Sequence, residues 1–137
     1  MSAHSQTSTA DRPCLVLATG DFDYPSETYI RLRRLGWDIY KTRVGPEARR
    51  LARMLEPDMV VLDTDLDGES GWLTCAKLEQ ERPGAGVVLV TGEDSMENRT
   101  LAAFVGASAL VSRQHNLVSL LQSRRLGAGS KALVEAA

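Results

Sequence analysis

The sequence has few of the residues and motifs that several classes of protein need. Only two cysteines and two histidines occur among its 137 residues. Cys14 and Cys75 fall within apolar patterns, so we interpret them as buried reduced thiols and not as a disulfide framework. His4 and His115 have no partners at metal-ligand spacing. No nucleophile elbow, phosphate-binding loop or dinucleotide glycine motif is present.

Long apolar runs and an excess of charge are also missing. The formal net charge is −2, which argues against a nucleic-acid binder because such domains are usually basic. No apolar run approaches the length of a membrane span, and residues 1–12 lack the apolar core of a signal peptide. The sequence therefore predicts a cytoplasmic protein with neither a nucleic-acid partner nor a membrane partner.

The composition fits one globular domain of ordinary size. Hydrophobic residues make up 43% of the chain and charged residues 25%, close to the averages for proteins that bury their own core. We divide the sequence into a disordered N-terminal tail at 1–12, a folded domain at 13–125 and a C-terminal tail at 126–137.

Short apolar runs alternate with helical patterns along the folded part, which is typical of an α/β protein with a parallel sheet. The runs are Cys14 to Ala18, Trp37 to Tyr40, Met59 to Leu62, Val87 to Val90 and Ala109 to Val111. Pro25 and Pro46 stand at predicted helix starts. Ser70 is a candidate cap for the third helix, and Asp94 resembles the first residue of a capping box for the fourth.

The most informative segment runs from Pro57 to Gly71. Four apolar residues lead directly into Asp63, and an acidic loop that contains glycine follows. A continuous apolar run of this kind indicates a strand buried on both faces. Ligands of open α/β sheets bind beyond the carboxyl ends of the strands. We therefore expect Asp63 to lie at the mouth of a ligand site.

In their order and spacing, these features resemble the receiver domain of two-component response regulators, over roughly residues 13–125. Asp63 matches the phospho-accepting aspartate, Thr91 the hydroxyl residue after the fourth strand, and Arg113 the basic residue after the fifth. The resemblance implies a flavodoxin-like doubly wound α/β sandwich of three layers. Its five-stranded parallel sheet would have the strand order 2-1-3-4-5.

The resemblance also implies a function. The chain would be a stand-alone, atypical receiver domain in phosphorelay signal transduction, and not an enzyme. Asp63 would accept a phosphoryl group from a histidine kinase or phosphotransfer protein, with Thr91 and Arg113 holding the transferred oxygens. The domain would then act on a downstream protein target. A homodimer could form through the face made by the fourth helix, fifth strand and fifth helix. Asp21, Asp63 and Asp65 would hold a weak Mg²⁺ site.

Several positions depart from the receiver pattern. The family's acidic pair at the end of the first strand is absent, and Asp21 is the first acidic residue after that strand. Arg113 replaces a lysine, and Leu110 replaces a switch aromatic. If the Arg113–Asp63 pair is exposed, it would contribute only about 0–1 kcal/mol to stability. A pseudo-receiver that docks or dimerises without phosphorylation is therefore the alternative, and a binder of flavin or another small cofactor is a remote one.

Overall fold

The computed structural model describes residues 12–126 as five strands that alternate with five helices. The strands are β1 (Cys14–Ala18), β2 (Asp38–Thr42), β3 (Met59–Asp63), β4 (Val87–Thr91) and β5 (Ala109–Ser112). The helices are α1 (Ser26–Arg34), α2 (Gly45–Leu55), α3 (Gly71–Glu81), α4 (Met96–Phe104) and α5 (Leu117–Leu126). Apart from Arg12 and Leu126, the two predicted tails lie outside the described residues.

All strand pairs in the sheet are parallel, and the strand order is β2-β1-β3-β4-β5. This order and the alternation with helices confirm the predicted flavodoxin-like class. The register places Asp63 opposite Val90, and Thr91 opposite Ser112. The carboxyl ends of β3, β4 and β5 therefore meet at one edge of the sheet.

The core lies in two layers, one on each face of the sheet. Side chains of α1 and α5 cover one face, and side chains of α2, α3 and α4 cover the other. Every residue of β3 and β4 is buried, as expected for strands with helices on both sides. Cys75 belongs to this core, whereas Cys14 is half-buried, and both thiols are free.

The helix starts follow local hydrogen bonding, with one correction to the sequence prediction. The Ser70 hydroxyl accepts a bond from the Leu73 amide at 3.2 Å, so this cap is confirmed. The cap of α4 is Ser95 and not Asp94, because the Ser95 hydroxyl accepts from the Asn98 amide at 3.1 Å. The Asp94 carboxylate instead pairs with Arg99. Among residues 12–126, no helix combines the length and the apolar character that a membrane span requires.

Candidate functional site

Asp63 and Arg113 form a forked ion pair at the carboxyl edge of the sheet. Arg113 Nε donates to Asp63 Oδ2 at 3.0 Å, and Nη2 donates to Asp63 Oδ1 at 2.7 Å. The Asp63 side chain is only 2% exposed, whereas that of Arg113 is 24% exposed. The condition of an exposed pair is therefore not met, because the fold buries the carboxylate. Bidentate pairs of this type are among the stronger hydrogen-bonded contacts in proteins.

The same guanidinium also contacts the loop that follows β3. Arg113 Nη2 donates to Asp65 Oδ2 at 2.9 Å, and the Asp65 amide donates to Asp63 Oδ1 at 2.8 Å. The hydrogen bonds that Arg113 donates to Asp63, helped by the one that it donates to Asp65, raise the pKa of Arg113 above its ordinary value. Arg113 is thus a permanent cation that pairs with two carboxylates.

Aromatic side chains from the β1–α1 loop pack beside this ion pair. The Arg113 guanidinium lies over the ring of Phe22, with its carbon 5.5 Å from the ring centroid, a favourable cation–π geometry. Phe22 in turn meets Tyr24 edge-on at 5.1 Å. Burial, reinforced by the nearby Asp63 charge, raises the pKa of Tyr24. Tyr24 is therefore an uncharged side chain that lines the site.

Asp23 holds this aromatic loop in place. Its carboxylate accepts hydrogen bonds from the Tyr24 amide, the Tyr29 hydroxyl and the Lys41 ammonium. Burial alone would raise the pKa of Asp23, but the bonds from Lys41 and Tyr29 outweigh it and lower the pKa. Asp23 consequently links the loop to α1 and β2.

Close backbone packing at two glycines fixes the loop that carries Asp63 and Asp65. A Cβ atom on Gly20 would lie 2.3 Å from the Asp65 carbonyl oxygen, and one on Gly71 would lie 2.1 Å from the Asp63 carbonyl oxygen. No side chain fits at either position without movement of the backbone. The site loop therefore lies directly against the end of β1 and the start of α3.

Thr91 lies at the same edge, but its hydroxyl bonds within its own loop. It donates to the Glu93 carbonyl at 3.1 Å and accepts from the Glu93 amide at 3.1 Å. The Asn98 side-chain amide also approaches it, at 3.4 Å. The Thr91 carbonyl accepts from the Arg113 amide at 3.0 Å. The backbones of the two residues are therefore joined, while the Thr91 hydroxyl makes no bond to Asp63.

Asp21 does not join the other predicted site residues. Its side chain is fully exposed and lies 3.8 Å from Arg43 Nη2. Arg43 Nη1 also donates to the Gly20 carbonyl at 3.0 Å. Asp21 therefore lies beside Arg43, which follows the end of β2. The roles predicted for Asp63, Thr91 and Arg113, and the metal site at Asp21, Asp63 and Asp65, stay predictions.

The donor set at Asp63 does not fit a divalent cation. Mg²⁺ requires several hard oxygen ligands in a near-octahedral shell. Both oxygens of Asp63 already accept from Arg113, and so does one oxygen of Asp65. Within residues 12–126, no three carboxylate, histidine or cysteine side chains are grouped so that they could hold a metal ion.

Glu69 anchors the far end of the same loop. Its carboxylate accepts from Arg49 Nε at 3.1 Å, from the Thr74 hydroxyl at 2.6 Å and from Lys77 Nζ at 3.1 Å. Burial alone would raise the pKa of Glu69, but the hydrogen bonds from Arg49, Thr74 and Lys77 lower it to about 2. Glu69 therefore ties the loop to α2 and α3.

We expect Glu69→Gln to lower the free energy of unfolding by about 1–2 kcal/mol at pH 7. The folded pKa of Glu69 lies below its ordinary value of 4.5. The stabilisation is therefore complete above about pH 5 and is lost as pH falls toward 2. Urea unfolding between pH 7 and pH 3 should show the free energies of unfolding of the wild-type protein and Glu69→Gln becoming more similar as the pH falls. Glu47→Gln, on an exposed pair with Arg50, is the control, and a difference that does not vary with pH would contradict the prediction.

The sequence interpretation missed several contributors to the site. Phe22 and Asn98 make direct contacts there, yet neither matches a motif, and Glu69 belongs to the loop that resembles the receiver pattern but was given no role of its own. The sequence signal for Phe22 was its aromatic side chain, which comes shortly after the first strand. The contacts of Glu69 depend on Arg49, which lies 20 residues away in the chain. Only the assembled fold brings such residues together.

The sequence and the fold both match known proteins. The family model of the response regulator receiver domain matches residues 27–125. The chain is 34% identical over 107 residues to the probable transcriptional regulatory protein TcrX of Mycobacterium tuberculosis, which covers 77% of this chain and 46% of TcrX. It is 30% identical over 76 residues to the alkaline phosphatase synthesis transcriptional regulatory protein PhoP of Bacillus subtilis, covering 56% of this chain and 32% of PhoP. The chain thus spans half or less of these curated relatives.

Solved receiver domains share the fold. The BeF3-activated N-terminal receiver domain of Klebsiella pneumoniae RstA is 27% identical, with a TM-score of 0.66, over 84% of this chain and 97% of that one. A response regulator from Burkholderia pseudomallei, solved with a phosphorylated aspartic acid, a calcium ion and citrate, is 24% identical, with a TM-score of 0.73, over 92% of this chain and 72% of that one. The second likeness shows the fold alone. The family match shows that this chain belongs to the response regulator receiver domain family, whose members are signalling modules of two-component systems.

Proposed function

We propose that this receiver domain docks a protein partner without depending on phosphorylation of Asp63. The observation that carries the proposal is the forked pair, in which both oxygens of the buried Asp63 carboxylate accept from Arg113. A carboxylate that attacks a phosphoryl group needs a free oxygen and a cation to offset the repulsion between anions. Here the oxygens are occupied, and the donor set does not fit the metal.

The buried position of Leu110 supports the same proposal. Leu110 lies in β5 with 4% of its surface exposed, at the position where receiver domains often carry a switch aromatic. A ligand shifts a two-state equilibrium only by its differential affinity for the two states. An apolar side chain that is equally well buried in both states contributes little to such a difference. Any switch that involves β5 should therefore be weak.

The surface at α4, β5 and α5 is the docking face that we propose, either for a second copy of the chain or for a target protein. Three large apolar side chains of α4 are exposed, namely Met96, Leu101 and Phe104, and Phe104 is 85% exposed. Exposed apolar groups of this size often mark interaction surfaces. In this proposal the face is available whether or not Asp63 is modified.

Incubation with acetyl phosphate and Mg²⁺ tests the proposal. We expect intact-mass spectrometry to show no phosphoryl adduct above the background of an Asp63→Asn control. Beryllofluoride should change self-association or partner affinity by less than about tenfold, or 1.4 kcal/mol. An adduct that depends on Asp63, or a larger change in affinity, would refute the proposal.

The second candidate is phosphoryl acceptance on Asp63 from a histidine kinase or phosphotransfer protein. The observation in its favour is the sheet edge that the three residues share. Asp63 ends β3, Thr91 ends the neighbouring β4, and Arg113 comes directly after β5. Arg113 would then release the carboxylate and clamp the transferred oxygens. The acetyl phosphate experiment distinguishes the two candidates directly.

A further inference from the structure

We infer that Arg113 is a built-in cation that takes the place of a divalent metal at Asp63, and that its removal converts the site into one that binds divalent cations. This inference deepens the proposed function, on which it rests. It concerns the balance of charge between one side chain and two carboxylates. It therefore has a test that requires no phosphate and no partner.

The charges at the site carry the first step of the argument. One guanidinium donates three hydrogen bonds, two to Asp63 at 3.0 and 2.7 Å and one to Asp65 at 2.9 Å. The carboxylate of Asp63 is buried, and an unpaired buried carboxylate is costly. A cation at this position offsets that cost, and Arg113 supplies it from within the chain.

Packing around the guanidinium carries the second step. Its carbon lies 5.5 Å from the Phe22 ring centroid, and the amide of Arg113 bonds to the Thr91 carbonyl. A Cβ atom at Gly92 would lie only 2.8 Å from Nη1, so the guanidinium passes where residue 92 has no side chain. Arg113 is held on several sides and loses little further freedom when it binds the carboxylates.

Competition between Arg113 and a free metal ion carries the third step. An incoming Mg²⁺ must break the fork to Asp63, and among the described residues it would gain only Asp63 and Asp65, because no third ligating side chain is grouped with them. A cation on the same chain is always present at the site, whereas a free ion must pay its own dehydration. Once Arg113 is removed, the two carboxylates lose their cation and Mg²⁺ meets no competitor. Two carboxylates are enough for an ion that keeps several waters in its shell.

The test is thermal unfolding of the full chain in MgCl2 against KCl at matched ionic strength. For the wild-type protein we expect the melting temperature to differ by less than about 1 °C between the two salts. For Arg113→Ala, Mg²⁺ at about ten times its dissociation constant should raise the melting temperature by roughly 3–6 °C. The double variant Arg113→Ala with Asp63→Asn should lose this response. Arg50→Ala removes an equal charge from an exposed pair and should show no response.

Two results would overturn the inference. One is a wild-type protein that Mg²⁺ stabilises as strongly as Arg113→Ala, and the other is an Arg113→Ala variant that does not respond to Mg²⁺. If Arg113→Ala fails to fold, Arg113→Lys is measured instead. A lysine cannot fork onto the carboxylate, so Mg²⁺ should raise its melting temperature more than that of the wild type but less than the rise expected for Arg113→Ala. Failure of the proposed function looks different: acetyl phosphate would label wild-type Asp63. Labelling in the presence of EDTA would refute that function and leave Arg113 as the resident cation.

Discussion

Arg113→Ala is expected to lower the free energy of unfolding by about 3 kcal/mol in metal-free buffer at pH 7. The substitution leaves Asp63 charged, buried and without the guanidinium that neutralises it. Breaking a buried pair by removing one partner costs more than the pair is worth, because the remaining charge stays desolvated. Urea unfolding followed by circular dichroism measures the change.

A double-mutant cycle separates the pair from its surroundings. Asp63→Asn combined with Arg113→Ala should be more stable than Arg113→Ala alone, because the buried charge is gone. We expect a coupling energy of about 1.5–3 kcal/mol between the two positions. Arg50→Ala serves as the matched control on an exposed pair, and we expect no measurable loss there. Equal stabilities of Arg113→Ala and this control would show that Asp63 is solvated in the folded protein.

The fold was largely accessible from the sequence because strand burial leaves a strong pattern. The apolar runs in β3 and β4 are continuous, since both faces of these strands are covered. The parallel arrangement followed from their alternation with helices, and the strand order followed from the resemblance to receiver domains. Boundaries were less accurate. β2 runs over Asp38–Thr42, whereas the apolar run began at Trp37, whose amide instead bonds to the Leu32 carbonyl at the end of α1.

The site was accessible only where position along a strand determines it. Asp63 is the last residue of β3 and Arg113 comes directly after β5. The parallel sheet brings those strand ends to one edge. Asp21 instead lies beside Arg43, a residue from a different loop. The choice of Ser95 over Asp94 as a cap depends on which side chain is free, and Asp94 pairs with Arg99. Contacts of this kind depend on tertiary packing and leave no periodic signal in the sequence.

Gly71→Ala should destabilise the domain by roughly 3 kcal/mol, even though alanine favours helices more than glycine does. A Cβ atom at this position would lie 2.1 Å from the Asp63 carbonyl oxygen and 2.8 Å from Thr64 Cα. These are backbone atoms, so no side-chain rotation can relieve the clash. The Gly71 amide also donates to the Thr64 carbonyl at 3.0 Å, which ties the start of α3 to the strand end. The substitution must therefore displace the backbone that carries Asp63.

Gly68→Ala is the matched control for this prediction. Gly68 belongs to the same loop and has a positive φ of 77°, but no atom lies within 4 Å of the Cβ that it would gain. Its cost should be limited to backbone strain, about 1 kcal/mol. The Arg113 Nε–H resonance provides a readout at the site: it should shift in Gly71→Ala and stay in place in Gly68→Ala. Equal losses of stability in the two variants, with that resonance unmoved in both, would show that close packing at Gly71 does not position Asp63.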